Sequence, residues 1–312
     1  MTTYSNPRFI RGKWNGKTYE VQKELGRGAN GTVYLATLHN NPYALKIGDD
    51  TFSMTSEVNV LKHFGKAQGS ILGPSVYDVD DWEIGGKALP FYVMNVIEGD
   101  SVVGFIKKRG KEWLPAFMMQ LLGFLHELHE EGWIFGDLKP DNLKVSGHPP
   151  KLAWFDAGGM TKIGRAVKEY TEMYDRGYWH MGDRKAEPAY DLFSVAIIFL
   201  QLHYGKIVEP TEEDRSLTLR RLVYSDAGLK PYQEVLWKAI EGKYRTAKEM
   251  KQEFMQAWHT AKGGKLEQRK YEPMSRMAKQ KKPGFIQKTL SFLFVSSFLI
   301  FLFTLYLFSQ TL

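Results

Sequence analysis

Two short polar runs carry the residue types that are best suited to chemistry. The first reads Gly-Asp-Leu-Lys-Pro-Asp-Asn from Gly136 to Asn142, and the second reads Phe-Asp-Ala-Gly-Gly from Phe155 to Gly159. Together they place an acid, a lysine, an asparagine and a second acid within a short length of chain. Phosphoryl transfer needs a residue that orients the attacking hydroxyl, oxygen ligands for Mg²⁺ and cations for the phosphate charge. The two runs therefore indicate a site for a nucleoside triphosphate and its metal ion.

The first run resembles the catalytic loop of Hanks-type protein kinases, which ends in Asp-Leu-Lys-Pro-x-Asn. The chain matches that pattern from Asp137 to Asn142, and a lysine two residues after the acid resembles the serine/threonine branch of the family. The resemblance implies that Asp137 orients the substrate hydroxyl and accepts its proton, while Lys139 neutralises charge on the transferred group. It also implies that Asn142 and Asp156 hold Mg²⁺ and that ATP is the phosphoryl donor.

A glycine-rich segment precedes these runs and reads G-x-G-x-x-G-x-V. It lies between two strand-like stretches, 19–25 and 32–38, so we expect the glycines to form the turn of a hairpin. Glycine lets the backbone approach phosphates because no side chain stands in the way. The resemblance implies that the nucleotide is contacted by Leu25, Gly26, Gly28, Gly31 and Val33.

The next strand-like run, Tyr43 to Ile47, contains one lysine among mostly apolar residues. Lys46 resembles the strand lysine that contacts the α- and β-phosphates, and its partner should be a glutamate on the following helix. Glu57 fits best, because Glu57, Leu61 and Phe64 recur at helical spacing. The separation between Lys46 and Glu57 is short for the family, so we expect this helix to be abbreviated.

The segment from Phe91 to Gly99 resembles the connection between the two lobes of the family fold. The resemblance places Met94 at the back of the adenine pocket and lets the backbone of Asn95 and Ile97 bond the base. Further along, an amphipathic helix from 113 to 130 should lead into the catalytic loop. A run beginning at Tyr190 resembles the helix whose aspartate braces that loop.

Several positions depart from the family pattern. Phe135 and Gly136 stand where histidine and arginine usually precede the catalytic aspartate, so a phosphate on the activation segment lacks its usual arginine receptor. Ala157 replaces the phenylalanine of Asp-Phe-Gly. We interpret Phe135 and Ala157 as a compensating pair, with one large ring moved to a neighbouring layer.

The end of the activation segment also differs from the pattern, because the Ala-Pro-Glu motif is missing. Its glutamate usually pairs with a late arginine, which Arg245 resembles here. Asp183 and Glu187 are both candidates for that pairing. Trp179 and His180 near the end of a short segment put peptide docking in doubt.

Composition sets wider bounds on the chain. Its 312 residues suffice for one two-lobed domain with additional segments, and the absence of cysteine excludes disulfides, thiolate metal sites and a cysteine nucleophile. His126 and His129 lie one helical turn apart, but two histidines do not complete a metal site.

The C-terminal part has a different character. Residues 289–308 are uncharged and rich in phenylalanine and leucine, and twenty helical residues span roughly 30 Å, the thickness of a bilayer core. The preceding stretch, Lys262 to Lys288, holds nine lysines and arginines but two acids, a difference of seven that equals the net charge of the chain. The pattern predicts a single-pass membrane anchor with the catalytic domain on the cytoplasmic side.

Two partners suit the basic stretch. Anionic lipid is the default partner beside a membrane helix, and nonspecific binding to DNA phosphates is the alternative.

The compact domain, the lack of cysteine and the anchor resemble the YabT-like kinase family of Bacillus-type spore formers.

We therefore expect an α+β chain with a two-lobed protein-kinase-like fold, a small mostly-β lobe and a larger helical lobe, followed by one transmembrane helix. The expected boundaries are an arm at 1–18, the kinase domain at 19–260, the basic linker at 261–288 and the anchor at 289–308. The resemblance implies a serine/threonine protein kinase at the cell membrane that acts on protein substrates and self-associates for autophosphorylation. A kinase of small molecules or lipid-linked sugars and a nucleotide-binding pseudokinase scaffold remain as alternatives.

Overall fold

A six-stranded antiparallel sheet forms the small lobe in the order β1-β2-β3-β4-β6-β5. The computed structural model describes residues 7–28, 31–64, 73–211 and 214–262. The elements of this lobe are β1 (Phe9–Arg11), β2 (Thr18–Gly28), β3 (Gly31–Leu38), β4 (Asn41–Ile47), α1 (Thr51–Phe64), β5 (Val76–Ile84) and β6 (Lys87–Asn95). Alternate residues are buried in β3, whereas β4 and β6 bury runs of consecutive residues. Tyr34, Leu45 and Phe91 belong to the core of the sheet.

The first strand extends this lobe beyond the boundary expected from the sequence. Residues 9–11, which were predicted to belong to an N-terminal arm, form β1 and pair with β2. A backbone bridge between Gly12 and Trp82 joins the two edges of the sheet. The buried carboxylate of Asp80 accepts hydrogen bonds from the backbone N–H groups of Trp14 and Asn15, at 3.0 and 2.9 Å. These bonds hold the turn after β1 against β5.

The helix α1 follows β4 after only three residues, 48–50. Its first turn is capped by Asp50, which accepts a hydrogen bond from the N–H of Ser53 at 2.7 Å. The helix contains 14 residues, which is an ordinary length, so the expectation of an abbreviated helix was wrong. The short separation between Lys46 and Glu57 results from the brief connection.

The large lobe is mainly helical. Its elements are β7 (Asp100–Ser101), α2 (Val102–Arg109), α3 (Leu114–Glu130), β8 (Trp133–Ile134), β9 (Leu143–Ser146), β10 (Lys151–Trp154), β11 (Thr161–Lys162), α4 (Pro188–Tyr204), α5 (Arg215–Ser225), α6 (Gln233–Ile240) and α7 (Ala247–Ala261). The helix α4 has 13 buried residues among its 17, since it is apolar around its whole circumference and lies at the centre of the lobe.

Two small sheets, β10-β9-β7 and β11-β8, carry the loops that face the cleft between the lobes. The expected division into a small β-rich lobe and a larger helical lobe is thus confirmed. Among the helices of the described residues, none is both long and apolar enough to span a bilayer. The predicted anchor at 289–308 and residues 263–288 of the predicted linker lie outside the described residues.

Candidate active site

A buried ion pair links the sheet of the small lobe to α1. Lys46 and Glu57 are 5% and 3% exposed, and the Lys46 Nζ atom lies 2.7 Å from Glu57 Oε2. The hydroxyl of Tyr92 donates to the same carboxylate oxygen at 2.9 Å. Asp156 Oδ1 lies 3.6 Å from the Lys46 ammonium. Burial would lower the Lys46 pKa, but the carboxylates of Asp156 and Glu57 outweigh it, so that the pKa is raised and the ammonium stays charged.

The catalytic loop presents Asp137 with two partners. Lys139 Nζ lies 2.6 Å from Asp137 Oδ2, and the hydroxyl of Thr171 donates to Asp137 Oδ1 at 2.8 Å. Lys139 also donates to the Thr171 hydroxyl oxygen at 2.9 Å. The three side chains form a closed ring of hydrogen bonds that fixes the orientation of the carboxylate. The sequence did not predict this role for Thr171, since nothing local distinguishes it from the neighbouring hydroxyl residues of the activation segment.

A brace beneath the loop comes from α4. The fully buried carboxylate of Asp191 accepts hydrogen bonds from the N–H groups of Phe135 and Gly136, at 2.7 and 2.9 Å. His129 Nε2 lies 2.9 Å from the same carboxylate, so this histidine takes part in the brace and is not merely core packing. The structure thus bears out the bracing role that the resemblance implied for this aspartate.

A steric constraint explains why position 136 is a glycine. Its φ is +81°, a conformation that favours glycine, and a Cβ atom there would lie 2.4 Å from the carbonyl oxygen of Gly159. The backbone of the second polar run therefore passes too close for any side chain. This close approach explains why an arginine cannot be accommodated in this geometry.

Phe135 points into the core of the large lobe. Its ring makes edge-to-face contacts with Phe124 and Trp154, with centroid distances of 6.3 and 6.2 Å. Ala157 is buried in the same core cluster. The proposal that Phe135 compensates for Ala157 stays a prediction.

A cavity of about 480 Å³ lies between the lobes and has a size typical of small-molecule sites. The predicted residues that line it are Leu25, Gly26, Gly28, Gly31, Val33, Lys46, Met94, Asn95, Ile97, Asn142 and Asp156. Of the two residues predicted to be catalytic, Lys139 lines the cavity and its Nζ atom contacts Asp137. Tyr92, Lys144, Phe155 and Glu169 also line it and were not predicted.

The residues present fit a magnesium nucleotide. Asn142 donates its side-chain N–H to the backbone oxygen of Asp137 at 2.9 Å, and Asp156 accepts from the N–H of Gly158 at 3.0 Å, so both side chains are oriented. In the described part of the chain, no group of three or more histidine or acidic side chains is arranged to hold a metal ion. Mg²⁺ is usually bound by one or two protein ligands together with phosphate and water, and the side-chain oxygens of Asn142 and Asp156 could supply these ligands.

Glu169 of the activation segment brings a further carboxylate to the cavity. Burial and the nearby charge of Asp156 raise its pKa. The sequence contained no signal for this position, because its approach to the cleft depends on the path of the activation segment.

The acidic residues at the end of the activation segment pair with a different arginine from the one expected. Arg176 is buried, and its Nη2 atom lies 2.8 Å from Asp183 Oδ1 and 2.7 Å from Glu187 Oε1. Arg245 is exposed, and the described residues show no ion pair between it and either acid. The expectation that Asp183 or Glu187 pairs with Arg245 was therefore wrong, because Arg176 lies nearer and binds both.

Comparison with known proteins agrees with this arrangement. A family profile described as "Protein kinase domain" matches residues 19–262. The chain is 47% identical to the serine/threonine-protein kinase YabT of Bacillus subtilis over 289 residues, which cover 90% of this chain and 84% of that protein. It is 26% identical to the serine/threonine-protein kinase PknL of Mycobacterium tuberculosis over 65% of this chain and 53% of that protein.

These relatives favour protein phosphorylation over the small-molecule kinase and the inactive scaffold considered above. The kinase profile covers both polar runs, the glycine-rich segment and the ion pair of the small lobe. The chain therefore belongs to the protein kinase family and is a serine/threonine protein kinase of the bacterial Hanks type.

Proposed function

We propose that this kinase uses ATP and Mg²⁺ in the cleft between its lobes and acts on protein substrates while anchored to the cytoplasmic face of the cell membrane. The ring of hydrogen bonds among Asp137, Lys139 and Thr171 carries the catalytic part of this proposal. It holds one carboxylate oriented beside a cavity that Lys139 and the charged Lys46 both line.

The residues divide the work between the two ends of the cavity. Asp137 orients the substrate hydroxyl and takes its proton as the phosphoryl group is transferred, and Lys139 neutralises the developing charge. Lys46, held by Glu57, binds the phosphates that stay with the nucleotide. Asn142 and Asp156 hold Mg²⁺, which neutralises the charge on the phosphate oxygens.

The experiment that tests the catalytic proposal is phosphosite mapping. The purified chain is incubated with ATP and Mg²⁺ together with a generic protein acceptor, and the phosphorylated residues are identified by mass spectrometry. We expect phosphate on serine and threonine of the acceptor, and on the kinase itself if two copies associate. Nucleotide binding without any phosphorylated residue would contradict the proposal.

The anchor is proposed from residues 289–308, which are uncharged and long enough to cross a bilayer core. Its lysine-rich and arginine-rich flank lies on the N-terminal side and favours a cytoplasmic catalytic domain. Cell fractionation tests this proposal. The full chain should sediment with membranes and resist extraction by salt, whereas a chain that ends at Thr260 should stay in the supernatant.

The basic stretch from Lys262 to Lys288 is proposed to rest on anionic lipid, since each cation near such a surface contributes roughly 1 kcal/mol. Nonspecific DNA binding by the same cations is the second candidate, favoured by the excess of nine basic over two acidic residues in that stretch.

A further inference from the structure

A small cavity lies between α1 and the activation segment and shares no lining residue with the nucleotide cavity. Its volume is about 20 Å³, roughly the space of one water-sized group. The lining residues are Ser53, Ser56, Glu57 and Val60 of α1, followed later in the chain by Ala157, Gly158, Met160 and Lys168. The cavity therefore lies where the chain that follows the catalytic loop meets the helix that carries Glu57.

One carboxylate oxygen at this cavity is buried without a partner. Glu57 uses Oε2 for both of its hydrogen bonds, from Lys46 at 2.7 Å and from Tyr92 at 2.9 Å. Its other oxygen, Oε1, is buried and has no hydrogen-bond partner in the part of the chain that the structure describes. An unpaired carboxylate oxygen in such a place is unfavourable because it has lost its water. Glu57 Oε1 thus calls for a donor from the side of the small cavity.

Lys168 is a donor on that side. Its Nζ atom donates to the hydroxyl oxygen of Ser56, the residue next to Glu57, at 3.4 Å, and its side chain lines the same cavity as Glu57. The flexible four-carbon stem of lysine lets the ammonium group move over a short distance without any change in the backbone. The following residue, Glu169, lines the nucleotide cavity instead. Two consecutive residues of the activation segment therefore reach two different cavities.

The charges around Lys46 favour a second cation. The carboxylates of Asp156, Glu57 and Glu169 all lie near its ammonium group, so that one positive charge faces three negative charges. Once Lys46 also binds phosphate, Glu57 shares its cation with a competing anion. A second cation on the other oxygen of Glu57 keeps that carboxylate charged and in place.

We propose that Lys168 is a positioning residue whose ammonium group pairs with Glu57 Oε1 in the small cavity and so ties α1 to the activation segment. The tie keeps Glu57 directed at Lys46 without a phosphate on the activation segment, whose usual arginine receptor is replaced by Gly136. The proposal rests on the role of Lys46 in the proposed function and adds the group that holds its partner.

The first test is kinetic and uses the full chain in detergent with ATP, Mg²⁺ and a generic protein acceptor. Lys168→Met keeps the aliphatic stem but removes the charge, and it should lower kcat/KM for ATP on the order of tenfold. Lys168→Arg keeps a cation and should retain most of the activity. Lys185→Met is the matched control and should equal the wild type, because Lys185 is an exposed residue of the same segment that makes no described contact with α1.

The second test measures hydrogen exchange of the backbone amides in the same four proteins. Exchange in α1 should be faster in Lys168→Met than in the wild type, whereas exchange in α3 should not change. A merely local surface role would leave α1 unaffected. An unchanged kcat/KM in Lys168→Met overturns the proposal, and so does a lower kcat/KM without faster exchange in α1.

A third measurement addresses the independence from phosphate. Wild-type chain treated with a serine/threonine phosphatase, which is then removed, should transfer phosphate to the acceptor at its initial rate. Loss of activity after this treatment overturns the claim that Lys168 takes the place of a phosphate. A wild-type chain that never transfers phosphate refutes the proposed function, whereas the exchange of α1 in Lys168→Met still tests the tie, which separates the two failures.

Discussion

Among single residues, Asp137 has the most direct proposed role, which is to orient the acceptor hydroxyl and not to bind the nucleotide. We expect Asp137→Asn to abolish phosphoryl transfer while ATP affinity changes little. Radiolabel transfer and nucleotide binding should be measured on the same preparation. The exposed Asp100 provides a matched control, since Asp100→Asn should keep both properties. Full autophosphorylation by Asp137→Asn would refute the catalytic assignment.

We infer from its hydrogen bonds that Thr171 positions Asp137 and Lys139 for the reaction. We expect Thr171→Val, which removes both hydrogen bonds but keeps the shape, to lower kcat on the order of 10²-fold, since a small misplacement of a catalytic group has a large effect. Thr171→Ser keeps the hydroxyl and should recover most of the rate. If the valine variant lost stability in a thermal melt and the serine variant did not recover kcat, the role would be structural.

At the scale of elements, the strands and helices of the large lobe meet around Phe135. Phe135→Ala should lower the free energy of unfolding by about 3–5 kcal/mol, because the ring is buried. Ala157→Phe alone should overpack the same core. Denaturant unfolding of Phe135→His, of Ala157→Phe and of the double variant that combines them forms a double-mutant cycle. We expect the double variant to recover stability relative to the single variants. Purely additive effects would mean that the two side chains do not share a layer.

The end of the activation segment is joined to the start of α4 through Arg176. Arg176→Gln should lower the free energy of unfolding by roughly 1–3 kcal/mol, less than for a fully buried pair, because Asp183 and Glu187 remain accessible to water. Arg245→Gln is the matched control and should change it by no more than about 0.5 kcal/mol. The reverse ranking of the two variants would restore Arg245 as the anchoring arginine.

For the whole molecule, the basic stretch is proposed to determine which anionic partner the kinase binds, lipid or DNA. If it engages DNA through about six phosphates, affinity should fall on the order of 10³-fold between roughly 50 and 200 mM salt. A gel-shift titration should compare a fragment that ends at Lys288 with one that ends at Thr260. DNA affinity that does not change with salt concentration, or that is the same for the fragment ending at Thr260, would exclude this stretch as the DNA site. Binding of the same two fragments to vesicles with and without anionic lipid tests anionic lipid, the default partner.

Features whose chemistry lies within a short stretch of chain could be predicted from the amino-acid sequence. The run from Asp137 to Asn142, the glycine-rich hairpin and the single lysine among apolar residues of β4 were recognisable because local spacing dictates which side chains share a loop or a strand face. The partner of Lys46 also followed from helical periodicity. The division into two lobes was implied by the resemblance to protein kinases that these patterns carry.

Contacts between residues far apart in the chain could not be predicted in this way, because they depend on how the whole chain folds. Thr171 was one hydroxyl residue among several until the fold placed it against Asp137, 34 positions away, and His129 reaches Asp191 across 62 positions. The choice of Arg176 over Arg245, and the turn of Lys144 toward the nucleotide cavity, likewise depend on where the chain returns in space. Local propensity carries no information about such encounters, because packing of the whole lobe selects them.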